Sequence, residues 1–133
     1  FCAIDLGKMY KFYKQKKSIA CIATRIYRKE ETGYAKVEDG LITEFQEKPL
    51  ITMPMAECLG IYILDTKILK TIRSKKEKRK EVNLSFDVLQ DLSKRKIVSA
   101  FDIGKALWID VESPNKVERN HVIMKEIIRK MKN

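Results

Sequence analysis

Apolar residues recur along this chain at two spacings, and the switches between them mark its elements. Leu6, Met9, Tyr10 and Tyr13 follow one another at helical intervals behind Asp5, whose carboxylate can cap a helix by accepting backbone N–H groups. Lys14, Lys16 and Lys17 fall at the end of that stretch, where positive charge suits the helix dipole. Residues 18–26 are then rich in Ile, Ala and Cys with almost no charge, which predicts a buried strand. A helix that gives way to a buried strand predicts an α/β chain.

Short runs at 34–37 and 41–45 flank Asp39-Gly40, a dipeptide that tolerates left-handed backbone, and predict a β-hairpin. After Pro49 comes a polar-poor loop carrying Met53, Pro54 and Met55. Residues 58–64 (C-L-G-I-Y-I-L) predict a second apolar strand, after which Asp65 or Thr66 caps a short helix holding Ile68, Leu69 and Ile72. The run 73–81 is mostly Lys and Arg and reads as a solvated loop or helix end. Ser85 is placed to cap a helix that presents Phe86, Val88, Leu89 and Leu92. Strands at 97–103 and 106–109 flank a turn at Gly104. Pro114 then opens a long amphipathic helix over 115–131, with Val117, Val122, Met124, Ile127, Ile128 and Met131 on its apolar side. With no internal repeat and no flexible linker, the chain reads as a single α/β unit with an inserted hairpin.

Composition narrows the function classes. The 133 residues suffice for one domain with its own core, and no apolar run is long enough to span a membrane. Residues 1–6 contain an acid and no basic leader, so they do not read as a signal peptide; processing or a missing N-terminal portion would explain the lack of an initiator Met. Cys2, Cys21 and Cys58 have no metal or redox spacing and read as reduced thiols of a cytoplasmic protein. The lone His121 excludes a His-rich metal cluster. Walker loop, dinucleotide fingerprint and nucleophile elbow are all missing, so covalent Ser or Cys catalysis has no support. The net charge of +10 draws anions, and nucleic acid, nucleoside triphosphate, pyrophosphate and sugar phosphate all qualify.

Three places offer chemistry. Glu47-Lys48-Pro49 follows a predicted strand directly, and Pro49 is expected to hold Lys48 in extended geometry. The pair offers an acceptor for hydroxyls and a point charge for phosphate, or else it is an exposed loop without a role. Trp108-Ile109-Asp110-Val111 places an aromatic and an acid on one face of a strand end, either as a magnesium ligand beside a crevice or as a cap or turn. Gly60 interrupts an apolar strand, which marks a bulge, a close ligand approach or ordinary packing.

The order of these elements resembles the sugar-nucleotide pyrophosphorylases, a family of sugar-phosphate nucleotidyltransferases, over almost the whole chain. Tyr34 to Glu47-Lys48-Pro49 is similar to the family stretch from "Y-G-x-V" to "E-K-P", Gly60-Ile61-Tyr62 to its "G-I-Y", and Trp108 to Pro114 (W-I-D-V-E-S-P) to its "W-x-D-x-x-T-P". The three form an ordered set with plausible spacing, which is more specific than any one of them. The segment from Asp5-Leu6 through Phe12-Tyr13 to Thr24 resembles the family segment just after its central "N-G-D" loop.

The resemblance implies a partial nucleotide-diphospho-sugar transferase sheet (GT-A-like, Rossmann-like) with flanking helices and an inserted β-hairpin. Residues 1–133 would be the C-terminal, sugar-phosphate-binding part of the domain, with the nucleotide-binding part absent. It also implies transfer of a nucleotidyl group from a nucleoside triphosphate to a sugar 1-phosphate, with pyrophosphate released. Glu47 would then bind sugar hydroxyls and Lys48 the phosphate, Ala35 and Gly60 would lie against the sugar, and Asp110 would be one of two carboxylates on Mg2+. Lys48 and Asp110 carry the catalytic expectation.

Departures from the pattern matter equally. Neither the glycine-rich N-terminal loop nor an "N-G-D" precedes Asp5. Ala35 stands where the family has glycine, Cys58 where it often has asparagine, and Ser113 where it has threonine. An isolated piece of this kind is expected to be inactive alone and to expose an apolar edge or face that favours a homodimer or aggregation. The alternative is a small basic nucleic-acid-binding or structural module, with cations at 14–17, 73–80 and 94–96 in one stripe beside exposed Tyr residues. Without a nucleic-acid motif that reading is disfavoured.

Overall fold

The computed structural model of the chain describes residues 2–111 and 114–131. Helix α1 (Leu6–Lys16) begins at Asp5, whose side chain accepts from the Lys8 N–H, and ends on Lys17 at φ 50°, a left-handed cap that stops the helix. Strand β1 (Ala20–Lys29) comes next and forms the middle of a three-stranded sheet. It runs antiparallel to β4 (Leu50–Leu64) and parallel to β5 (Val98–Asp102), giving the order β4-β1-β5. Between β1 and β4 the chain makes a separate hairpin, β2 (Tyr34–Glu38) with β3 (Leu41–Gln46).

Both faces of the sheet are covered at the start of β1, which is why residues 20–23 of that strand read as an apolar run. On one face Cys21 and Ala23 meet Met9 and Tyr13 of α1, with Leu59 and Ile103 completing the cluster. On the other face Ala20 meets Ile68 of α2 (Ile68–Lys76), together with Val88, Leu89 and Leu92. These last three come from a π-helical turn, Leu84–Leu89, that runs straight into α3 (Gln90–Lys94). The long α4 (Pro114–Met131) buries Ile127 completely but leaves Val122 and Ile128 exposed, so its apolar side is only partly covered. The side chain of Met131 and all of Ser113 lie outside the described residues.

Several elements differ from the sequence reading. The apolar strand is longer than 58–64, because β4 already starts at Leu50. Met53, Pro54 and Met55 lie in a register shift between Arg25↔Glu57 and Tyr27↔Thr52, where the bulged strand asks no ladder bond of the proline. A second shift, between Ile22↔Tyr62 and Thr24↔Cys58, contains Gly60 at φ 71°, so the glycine does mark a bulge. The stretch 106–109 is no strand; Trp108 makes only an isolated bridge with Cys2. The cap of the third helical segment is Asn83 rather than Ser85, since Asn83 Oδ1 accepts from the N–H groups of Ser85 and Phe86 at 2.9 and 3.0 Å. Replacing Asn83 by alanine is expected to cost about 1 kcal/mol, read as a lowered urea midpoint, whereas Ser85→Ala leaves it unchanged.

The hairpin keeps closely to its sequence. Asp39 and Gly40 have φ 50° and 79°, the left-handed pair that a two-residue turn between Glu38 and Leu41 requires. Ala35 pairs with Phe45 and Val37 with Ile42, and Val37, Ile42 and Phe45 are all exposed. These three apolar side chains of the hairpin are therefore left largely uncovered.

Candidate functional site

The carboxyl ends of β1 and β5 open onto a cleft of ≈ 740 Å³. In an α/β sheet, ligands settle outside the carboxyl ends of the strands because loops rather than packed side chains line that edge. Arg25, Tyr27 and Lys29 enter the cleft from β1, and Lys105 enters from the turn after β5. Lys48 comes from the connection between β3 and β4, while Trp108 and Asp110 come from the segment that leads to α4.

Lys48 and Asp110, 62 residues apart in the numbering, thus line one cleft. The backbone of Lys48 is not extended as its proline neighbour suggests. It sits at φ 47°, in the left-handed region. Such a conformation costs a non-glycine residue about 1–2 kcal/mol and persists where its surroundings fix it. Here the Pro49 carbonyl accepts the Glu30 N–H at 2.9 Å, tying the turn to the end of β1.

The other expected residues lie elsewhere. Among the described residues, Glu47 is not part of the cleft lining. Its carboxylate turns toward Gly33, where an added Cβ would stand 3.0 Å from Oε2. Ala35 is on the exposed hairpin, and Gly60 is exposed on β4 with open space where a Cβ would project. The geometry therefore joins Lys48 with Asp110 and leaves Glu47, Ala35 and Gly60 apart from them.

Sequence reasoning missed Arg25. Its Nε donates to Glu57 Oε2 at 2.7 Å across β1 and β4, and its guanidinium lies 4.6 Å from the centre of the Trp108 ring. Only the alternation of charge within an otherwise apolar strand could have singled it out. A second pair, Arg28 Nε to Glu30 Oε1 at 2.7 Å, sits at the base of the hairpin. The Arg28 hydrogen bond, helped by Tyr34, holds the Glu30 carboxyl below its usual pKa. A depressed folded-state pKa contributes stability above the unfolded value, and that contribution is lost as pH falls through the folded one. The urea midpoint should therefore drop more steeply in the wild type than in Glu30→Gln as pH falls from about 5 to 3.

Among the described residues no group of three or more His, Cys, Asp or Glu side chains is arranged to hold a metal. No helix among them is long and apolar enough to cross a membrane.

The sequence and fold of this chain have counterparts in known proteins. Residues 1–125 match the nucleotidyl transferase family profile. The chain belongs to that family of enzymes. It is 36% identical over 84 residues to the glucose-1-phosphate adenylyltransferase of Clostridioides difficile (strain 630), a match covering 60% of this chain and 22% of that protein. A Bacillus anthracis protein assigned as a glucose-1-phosphate thymidylyltransferase, crystallised with a sucrose, superimposes with a TM-score of 0.63 at 21% identity. That superposition covers 92% of this chain and 50% of the other. The mixed sheet with flanking helices is thus the nucleotidyltransferase fold, and the chain spans half or less of each relative's length.

Proposed function

We propose that this chain is the sugar-phosphate-binding part of a sugar-phosphate nucleotidyltransferase that works in nucleotide-sugar biosynthesis in the cytoplasm. The observation that carries the reading is the meeting of Lys48 and Asp110 in one cleft at the carboxyl ends of β1 and β5. In the complete protein a phosphate oxygen of the sugar 1-phosphate attacks the α-phosphorus of a nucleoside triphosphate. The new P–O bond forms as the bond to the bridging oxygen breaks, and pyrophosphate leaves with that electron pair. No covalent enzyme intermediate is needed, so positioning and charge neutralisation carry the rate.

Lys48 is assigned to the sugar phosphate, as a compact cation whose three N–H donors suit phosphate oxygens. Asp110 is assigned as one carboxylate for Mg2+, which takes one or two carboxylates and fills its other positions with phosphate oxygens and water. One carboxylate in the same cleft as a phosphate-binding lysine fits that share. When bound, the ion would neutralise phosphate charge. Glu47, Ala35 and Gly60 remain assigned to the sugar on the family resemblance alone.

Calorimetric titration of the chain with sugar 1-phosphates, with and without Mg2+, tests the reading. Saturable binding that disappears in Lys48→Ala supports it, and absence of binding to any sugar 1-phosphate overturns it. The nucleic-acid alternative fares less well. Runs 14–17 and 94–96 do come close, because the Ile19 N–H donates to the Ile97 carbonyl where β1 and β5 start. However, Lys75 and Arg79 are ion-paired with Asp91 and Asp87, Tyr13 is buried, and Lys14 lies over the Tyr10 ring. Part of run 73–80 is thus engaged in ion pairs, and one of the two Tyr residues of α1 is turned away from solvent.

A further inference from the structure

A second cavity, of ≈ 570 Å³, is lined by Lys70, Thr71, Ser74, Lys75, Lys78 and Arg79 and shares no residue with the cleft. No acid is among those six residues. They belong to α2 and to the turn that continues it, where the Glu77 and Lys78 N–H groups donate to the Arg73 and Lys75 carbonyls at 3.1 Å. Lys70, Ser74 and Lys78 are spaced four residues apart, so they follow one another along one side of the helix. The helix dipole accounts for Arg73, Lys75 and Lys76 in the last turn of α2. It does not account for Lys70, a cation in the first turn, where α2 has no acid. Lys75 and Arg79 are held by Asp91 of α3 and Asp87 of the π-helical turn. Lys70 and Lys78 form no ion pair among the described residues. Two uncommitted amines therefore bracket a hydroxyl, and all three can donate to the acceptor-only oxygens of a phosphoryl group.

We propose that this cavity on α2 is a second anion site, which takes one phosphoryl group with Ser74 donating at its centre and Lys70 and Lys78 on either side. The site is separate from the cleft, and it stands whether or not the cleft binds a sugar phosphate. Two sources share this chemistry: free orthophosphate and the phosphate monoester of a small molecule. The ≈ 570 Å³ of the cavity leaves room for the organic part of a monoester.

The test is calorimetry at fixed ionic strength with orthophosphate and glycerol 3-phosphate. The parent protein carries Lys48→Ala, so that binding in the cleft does not mask the second site. It is compared with the same protein carrying Lys70→Ala, Lys78→Ala, both together, Ser74→Ala, or Lys76→Ala. The last removes an equal charge from α2 outside the cavity lining. Melting temperatures confirm that all variants are folded. The expected result is saturable binding of at least one ligand by the parent. Affinity should fall about 3- to 10-fold in each single lysine variant, the range for exposed to partly desolvated charged hydrogen bonds. It should fall about 10-fold or more in the double variant. Ser74→Ala should weaken binding about 3-fold or more with no change in net charge, an effect that a diffuse basic surface would not show. Lys76→Ala should bind as the parent does. Tighter binding of glycerol 3-phosphate points to a monoester, and tighter binding of orthophosphate to the free ion. Binding that is unchanged in the double variant or in Ser74→Ala, an equal loss in Lys76→Ala, or no binding of either ligand overturns the proposal.

Discussion

Truncating Leu92 to alanine lowers the free energy of unfolding by about 2–5 kcal/mol, the range for large-to-small changes in a close-packed core. Leu92 is 1% exposed and packs with Ala20, Ile68, Val88 and Leu89 between the sheet and the helices. Its carbonyl also accepts the N–H groups of Arg95 and Ile97 at 3.2 and 3.5 Å, at the point where α3 turns into β5. A cavity here therefore loosens the helix layer and the parallel strand it delivers. Domains of this size are stable by only about 5–15 kcal/mol, so the variant loses a large part of its margin. The measurement is a urea titration, in which the midpoint falls and the slope stays the same. Leu41→Ala, at a hairpin position 71% exposed, is the control and should stay within about 0.5 kcal/mol of wild type. Equal effects at the two positions would refute the burial argument.

Lys48→Gly should separate ligand binding from stability. Glycine accepts φ 47° without the clash between Cβ and backbone, which returns about 1–2 kcal/mol, while its freer unfolded chain takes back about 0.4–1. The melting temperature should hold or rise slightly. Sugar 1-phosphate affinity should fall about 10-fold or more, because a charge-assisted hydrogen bond to phosphate is gone. Lys48→Ala should lose the same affinity but keep the backbone strain. If Lys48→Gly binds as well as wild type, the lysine is a turn residue with no part in binding.

Local features were legible in the sequence because local chemistry causes them. Asp5 caps α1, and Asp39-Gly40 turns the hairpin, because the residue types demanded by those geometries are the ones present. Gly60 announced its bulge for the same reason. Asn83 and Ser85 can both cap a helix, and composition alone could not choose between caps two residues apart. The first half of β4 was obscured by Pro54, which counts against a strand unless a bulge removes its ladder bond. Lys48 defied the rule for residues before proline because the Glu30–Pro49 hydrogen bond, a contact from another strand, fixes its turn. Lys29, Arg25 and Lys105 became neighbours of Lys48 only through the pairing of β1 with β4 and β5, which no window of sequence contains. The motifs thus marked two ends of the cleft, and the long-range pairing supplied its walls.

Trp108 is the chain's one tryptophan, and its ring lies beneath Arg25 in the wall of the cleft shared by Lys48 and Asp110. An indole's excited state responds to the charges around it, and a cation over the ring is already part of its ground-state environment here. Under the proposed function, a phosphate bound at Lys48 would change that field and compete for the guanidinium. On that reading the molecule carries its own optical gauge: filling of the cleft would be written in a single emission spectrum, with no dye attached and no second indole to blur the signal.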